Sequence, residues 1–205
     1  MKTTDPIGNL PLYTAFEGTK RLTEGGLHEV ALKVKKVLAR GEKSPVFTFD
    51  NATGKYMDID FRGSAEDMLA RLAVQGARAS AAKVGPVTPD TPRSPGRPKL
   101  GVIAREVTLL PEQWDWLSSQ PGGASVAIRK LVAEARKTSG GRDRKRRAQE
   151  RAYQFSLTMA GDEEGFEEAM RALFAGDAEK FTTQTKTWPK DVRDHARVLA
   201  TGAWT

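Results

Sequence analysis

The side chains in this sequence best suited to chemistry are cations. Arg142-Asp143-Arg144-Lys145-Arg146-Arg147 packs five bases into six residues. Residues 129–151 hold 10 basic and 3 acidic groups, a local excess of +7 that equals the net charge of all 205 residues. A short cationic block beside a near-neutral remainder is the electrostatic footprint of a protein that meets a polyanion. The competing interpretation is a plain solvated helix surface. Arg129, Lys130, Arg142, Arg144, Lys145, Arg146 and Arg147 are therefore candidate phosphate contacts. The densest part follows Ser139-Gly140-Gly141 and is expected to open a helix; the bland alternative is an exposed flexible hinge. Bases there oppose the helix dipole by a few tenths of a kcal/mol each, and an unfavourable local choice points to function.

Groups for catalysis or metal binding are scarce. Cysteine is absent, which excludes disulfides, thiol nucleophiles and thiolate metal sites. The two histidines, His28 and His195, are remote and lack ligand spacing. His195 falls on the apolar face of a terminal helix near Asp191 and Asp194, and reads as a half-buried structural residue. Asp58 and Asp60 alternate with Ile59 and would share one strand face, where solvation accounts for them better than a metal does. Asn51-Ala52-Thr53-Gly54-Lys55 ends like a phosphate loop but lacks the full Gly-x-x-x-x-Gly-Lys-Ser/Thr pattern, so a hairpin turn is expected. No Ser-His-Asp arrangement stands out. The expectation is a non-enzyme without cofactor or metal. No secretory signal is apparent at Met1–Tyr13, and no apolar run reaches membrane-spanning length, so the expected location is the cytoplasm, with nucleoid association as a variant.

The elements that must position the cations fall into four parts, an α+β chain. Residues 10–75 read as a small α+β domain. Leu12–Phe16 and Arg21–Glu24 are strands around a turn at Glu17-Gly18. Leu27–Ala39 is an amphipathic helix with Leu27, Val30, Ala31, Val34, Val37 and Leu38 on one face, stopped by Gly41. A strand beginning at Val46, Phe47 and Phe49 turns at Asp50–Gly54 into a second carrying Tyr56, Met57, Ile59 and Phe61. Ser64 caps a short helix with Met68, Leu69 and Leu72 inward. Residues 76–100, rich in Pro, Ala, Gly, Ser and Thr, read as a disordered linker. The C-terminal region, 142–202, reads as a helical bundle. Ala148, Ala152, Phe155 and Met159 share a face. Asp162 caps a helix with Phe166, Met170, Leu173 and Phe174 inward that Gly176 stops. Asp177 starts another helix, and Pro189 the last.

Residues 102–138 have the order strand, helix, glycine turn, helix. Val107 and Leu109 alternate with Glu106 and Thr108. Pro111 suits a first helical turn, and Trp114 and Leu117 share a face. The helix stops near Gln120-Pro121-Gly122-Gly123. Ser125 is a good N-cap for a second helix whose stripe is Ile128, Leu131, Val132 and Ala135. A lone short strand with so little core needs a partner, and pairing with a second copy of itself is the economical answer.

The strings Val-Thr-Leu-Leu-Pro-Glu-Gln-Trp-Asp-Trp-Leu and Gly-Gly-Ala-Ser-Val-Ala-Ile-Arg-Lys-Leu-Val within this segment resemble the ribbon-helix-helix DNA-binding domain. The resemblance implies a homodimer whose antiparallel ribbon enters the major groove, with Arg105, Glu106 and Thr108, and Ala104, toward the bases. It also implies a backbone phosphate held at Gly123, Ala124 and Ser125, and a core of Val107, Leu109, Trp114, Leu117, Ile128, Leu131 and Val132. Glu106 departs from the basic or amide side chains usual in such ribbons. An acid can accept from cytosine N4 but repels phosphate.

Upstream, Arg93-Ser94-Pro95-Gly96-Arg97-Pro98-Lys99 contains Gly-Arg-Pro and resembles the centre of an AT-hook. That implies Arg97, with Lys99, in a narrow A·T minor groove. Pro95 stands where the usual preceding arginine would be. At whole-chain scale, Pro-Gly-Arg-Pro-Lys-Leu-Gly at 95–101, Arg-Glu-Val-Thr-Leu-Leu-Pro at 105–111, Trp-Asp-Trp-Leu at 114–117, Gln-Pro-Gly-Gly-Ala-Ser-Val-Ala at 120–127 and Val-Arg-Asp-His-Ala at 192–196 resemble a bacterial domain-of-unknown-function family, number 2239, which carries no assigned activity. The resulting expectation is a dimeric DNA-binding regulator or chromosome-associated protein, weakly specific and A·T-leaning. The alternative is a dimeric scaffold or antitoxin-like adaptor whose N-terminal domain or C-terminal helices grip a protein. Neither reading involves a membrane.

Overall fold

The computed structural model describes residues 12–41, 44–83 and 105–204. The chain separates into two compact units. One combines residues up to Arg78 with those from Gly141 onward, and the other covers Ala79–Gly140.

The first unit is organised on an antiparallel sheet of order β2-β1-β3-β4. Its strands are β1 (Tyr13–Glu17), β2 (Lys20–Gly25), β3 (Val46–Asp50) and β4 (Lys55–Tyr56). β1 is central, placing Thr14 opposite Phe49 and Phe16 opposite Phe47. Alternation sends its side chains to both faces, and both are buried. Ala15 faces Val30 and Val34 of α1 (Leu27–Leu38). Phe16 and Phe49 face the C-terminal helices.

α1 forms where the apolar spacing places it, with Val30, Ala31, Val34 and Val37 buried. The expected long strand after the hairpin is shorter than anticipated. β4 ends at Tyr56, and Met57, Ile59 and Phe61 instead pack with Ala31, Met68 and Leu72. Met57 N still donates to the Thr48 carbonyl at 2.7 Å, but beyond it side chains rather than a ladder bond the backbone carbonyls. Lys35 Nζ donates to the carbonyls of Phe61 (2.7 Å) and Gly63 (2.6 Å), and Arg71 donates to those of Asp60 and Arg62. Asp58 and Asp60 therefore do not share a strand face.

Ser64 caps α2 (Ala65–Lys83) reciprocally: its hydroxyl accepts from Asp67 N at 3.1 Å, and the Asp67 carboxylate accepts from Ser64 N at 2.9 Å. α2 runs on to Lys83, past the expected linker boundary at 76. Alanines at 77, 79, 81 and 82 are strong helix formers, whereas the composition argument counted them as unstructured.

The C-terminal elements are α4 (Gly123–Ala160), α5 (Phe166–Ala175), α6 (Ala178–Gln184) and α7 (Lys190–Leu199). Gly176 ends α5 in the left-handed conformation, Asp177 Oδ1 caps α6 by accepting from Lys180 N at 2.9 Å, and Pro189 precedes α7, as expected. α5 starts at Phe166 after Gly165, not after Asp162, so its first-turn acids are Glu167 and Glu168. The N-terminal domain and C-terminal bundle are not separate parts. Phe16 and Phe49 share one core with Ala148, Ala152, Phe155, Leu173, Val192 and Leu199. Phe155 lies 4.9 Å from Phe49 and 5.5 Å from Phe16 between ring centroids. Among the described residues, no helix is long and apolar enough to cross a membrane.

Candidate nucleic-acid interface

The second unit holds the helix–turn–helix part of the segment anticipated over 102–138. α3 (Pro111–Ser119) begins with proline in its first turn, and the Gln113 side chain accepts from Leu110 N at 3.0 Å. Gly122 and Gly123 take left-handed φ values of 87° and 72° between α3 and α4, a conformation that costs other residues about 1–2 kcal/mol. α4 begins at Gly123, so Ser125 lies inside its first turn instead of capping it. Gly123, Ala124 and Ser125 nevertheless occupy the start of the helix, as the resemblance implies.

Residues 105–110 form no helix or strand, so the expected strand carrying Val107 and Leu109 is not present among the described residues; Arg105, Glu106 and Thr108 are exposed. Of the expected core, Leu117 is buried, joined by Ala127, while Leu109 and Ile128 are half-buried. Val107, Trp114, Leu131 and Val132 are 55%, 40%, 51% and 52% exposed. Leu110 is exposed as well, and among the described residues of this unit only Leu117 and Ala127 are buried. Trp116, also exposed, lies on the other side of α3 from Trp114 at 100° per residue. Arg129 and Lys130 are exposed. Arg97 and Lys99, with the whole Gly-Arg-Pro motif, lie outside the described residues, as does Ala104.

The dense basic block belongs to the first unit, and its setting differs from expectation. Arg142–Arg147 do not open a helix: α4 runs from Gly123 to Ala160, and they lie in its interior. The dipole argument for an unfavourable helix start therefore falls. Ser139, Gly140 and Gly141 cost helix propensity, but strong formers on either side carry the helix across them. Arg142, Arg144, Arg146 and Arg147 are exposed, and Arg146 pairs with Asp143 at 3.2 Å. Lys145 is half-buried against the C-terminal end of α5: a Cβ placed on Gly176 would lie 3.0 Å from its Nζ. A cation there is favoured by the helix dipole.

Arg151, counted in the same charge excess, is unavailable to a polyanion. It is buried, and its guanidinium donates to the carbonyls of Leu199 (2.6 Å) and Thr201 (2.9 Å). It thus satisfies the end of α7 and fastens it to α4. Gln149 does the same for α5, donating to Leu173 and Phe174 carbonyls at 2.9 and 3.2 Å. Sequence reasoning missed both roles, because a cation bound to distant carbonyls has no local signature. It also placed Phe174 in the core, whereas Phe174 is half exposed beside Tyr153, 5.7 Å between ring centroids.

His195 is fully buried, more so than expected. Its Nε2 lies 3.1 Å from Asn51 Oδ1, and Asn51 Nδ2 donates to Thr14 Oγ1 at 2.8 Å. Since Asn51 uses its amide toward Thr14, its carbonyl accepts from His195, which fixes the Nε2–H tautomer. Burial against Phe16 and Phe155, then the positive charge of Arg21, push the His195 pKa down to about 3. A neutral, enclosed imidazole that ties α7 to the sheet is structural. Asp60 sits well below the usual carboxylate range because Arg62 and Arg71 surround it. Among the described residues, no group of three or more His, Asp or Glu is placed to hold a metal. The Asn51–Lys55 stretch is a hairpin turn closed by Gly54 N donating to Asp50 O at 2.7 Å.

Residues 12–200 match the family described as "uncharacterized protein conserved in bacteria (DUF2239)". No curated protein and no solved structure matches the chain.

Proposed function

The chain belongs to this bacterial family, and we propose that it is a dimeric DNA-binding protein, a regulator or chromosome-associated factor with weakly specific, A·T-leaning binding. The observation that carries this reading is the exposure of the apolar side chains of Val107, Trp114, Leu131 and Val132 on a helix–turn–helix unit. These are core positions in a ribbon-helix-helix dimer. Their exposure in one chain is what such a protomer displays before its second copy covers them. A patch of large side chains on so small a unit otherwise invites aggregation.

Binding would be dominated by backbone contacts. Arg142, Arg144, Arg146 and Arg147 present cations outward, and Arg129 and Lys130 add two near the start of α4. Each phosphate neutralised adds about 0.9 to the salt slope on duplex DNA. Arg97 and Lys99 would supply the minor-groove preference. Glu106 makes the ribbon a poor base reader, which is why a sharply defined operator is not part of the proposal. The role is binding, without catalysis, metal or cofactor, in the cytoplasm or on the nucleoid.

Titration of random and A·T-rich duplexes at several salt concentrations, with solution mass measured in parallel, tests the reading. The expected result is a dimer at micromolar concentration, steep salt dependence and modest A·T preference. A dimer that ignores DNA at low salt would leave the scaffold or adaptor alternative, and a monomer would contradict the ribbon assignment itself.

A further inference from the structure

A second surface, wholly within the first unit, combines the exposed ring of Phe174 and the half-buried ring of Tyr153 with cations. α5 ends against α4 between Lys145 and Tyr153. Gln149 holds the Phe174 carbonyl, Lys145 Nζ sits beside Gly176, and the Phe174 ring meets Tyr153. Phe174 is 51% exposed in spite of these contacts, and Leu157, one turn beyond Tyr153, is 48% exposed. On α4, Arg142, Arg146, Tyr153 and Leu157 fall within about 60° of arc at 100° per residue. Arg146 and Arg142 thus lie about two and about three turns N-terminal to Tyr153, on the same side. Asp143 pairs with Arg146 at 3.2 Å, and Glu150 accepts from the Gln154 amide at 3.1 Å, which leaves its charge in place.

We propose that Phe174 and Tyr153, with Arg142, Lys145 and Arg146, form a platform for single-stranded nucleic acid. An unpaired strand has base faces to stack on rings and phosphates spaced along a cationic path; this pairing of rings with a basic track is how single strands are held without sequence preference. A duplex hides its base faces and would use the cations alone. An acidic peptide would use the cations too, but would gain nothing from the flat ring of Phe174 beyond its apolar area. The proposal shares Arg142 and Arg146 with the duplex reading, but Phe174 and Tyr153, on which it turns, take no part in that reading.

The test uses the full chain and a labelled oligo-deoxythymidine of about 15 nucleotides, within the range such sites cover. Fluorescence anisotropy at low salt is expected to show binding. Phe174→Leu, which keeps apolar bulk and removes the π face, is expected to weaken it on the order of ten-fold while leaving duplex affinity and the unfolding midpoint unchanged. Arg146→Gln is expected to lower the salt slope for the oligonucleotide by about 0.7. The proposal is overturned if the wild-type chain does not bind the oligonucleotide at low salt, or if Phe174→Leu binds it as tightly as wild type. Displacement of the oligonucleotide by a polyglutamate peptide of equal charge would also overturn it, since charge alone would then account for binding. Duplex and single strand are titrated separately, so failure of one reading is distinguishable from failure of the other.

Discussion

Replacing Gly54 by alanine is the most searching single test of how the first unit is assembled. Gly54 closes the β3–β4 turn with φ +70°, and a Cβ there would lie 1.9 Å from the Arg151 carbonyl oxygen and 2.6 Å from its carbon. The obstacle is helix backbone in the middle of α4, so it cannot rotate away as a side chain would. Two costs combine. A left-handed alanine costs about 1–2 kcal/mol, and forcing turn and helix apart costs about 1–3 kcal/mol in lost packing. The separation would disturb the Phe49–Phe155 contact at 4.9 Å and the Arg151 bonds to α7. The expected loss is about 2–5 kcal/mol, a large fraction of a typical stability of about 5–15 kcal/mol. Gly41 is the control: its φ is +73°, but nothing lies within 4 Å of its would-be Cβ. Gly41→Ala should therefore cost only the conformational part. Urea unfolding followed by far-ultraviolet circular dichroism measures both. If the two substitutions destabilise equally, the close approach of turn and helix does not exist and the assignment of the hairpin to the C-terminal core is wrong.

Three further outcomes are expected. His195 is neutral in the folded state, with a pKa near 3 against an ordinary value of 6.5. Below pH 6.5 the unfolded chain therefore binds a proton that the folded chain refuses. Stability present above pH 6.5 should fall toward pH 3 by about 1.4 kcal/mol per unit, and His195→Gln should flatten that slope in pH-dependent urea melts; an unchanged slope would show that carboxylates alone set it. Leu131→Glu with Val132→Glu should convert a dimer to a monomer in sedimentation or light scattering, with little change in the first unit's unfolding, whereas a persistent dimer places the self-association surface elsewhere. Arg144→Gln with Arg147→Gln should weaken duplex binding evenly across sequences and reduce the salt slope by about 1.8; an altered sequence preference would mean that these arginines read bases.

Much of the local structure was legible because its signals are local. α1, the turn at Glu17-Gly18, the Ser64 cap, Gly176 and Asp177 each follow from spacing or from one residue's conformational preference. The errors share a different origin. Ser139-Gly140-Gly141 looked like a break because propensity favours one, yet a helix with strong formers on both sides spans three weak positions. Met57–Phe61 alternates like a strand, yet Lys35 and Arg71 supply the bonds a ladder would have provided. Phe174 fits the apolar stripe of its helix, but it falls at the helix end where the neighbouring α4 covers only half of it.

The amino-acid order by itself determined where the cations lie, that cysteine chemistry is excluded, and that Pro111, Gly122 and Gly123 separate two helices with apolar stripes. It also carried the family resemblance, because short strings suffice for that. Only the tertiary structure decided which cations remain outward. Arg151 turned inward because the last carbonyls of α7, 48 residues away for Leu199, needed a donor; Lys145 settled against the end of α5; Arg142, Arg144, Arg146 and Arg147 stayed exposed. It likewise joined the first strands to the last helices, through Phe16, Phe49, Phe155 and His195. Such pairings depend on which distant groups are left without partners once each element has formed, and that is a property of the assembled chain.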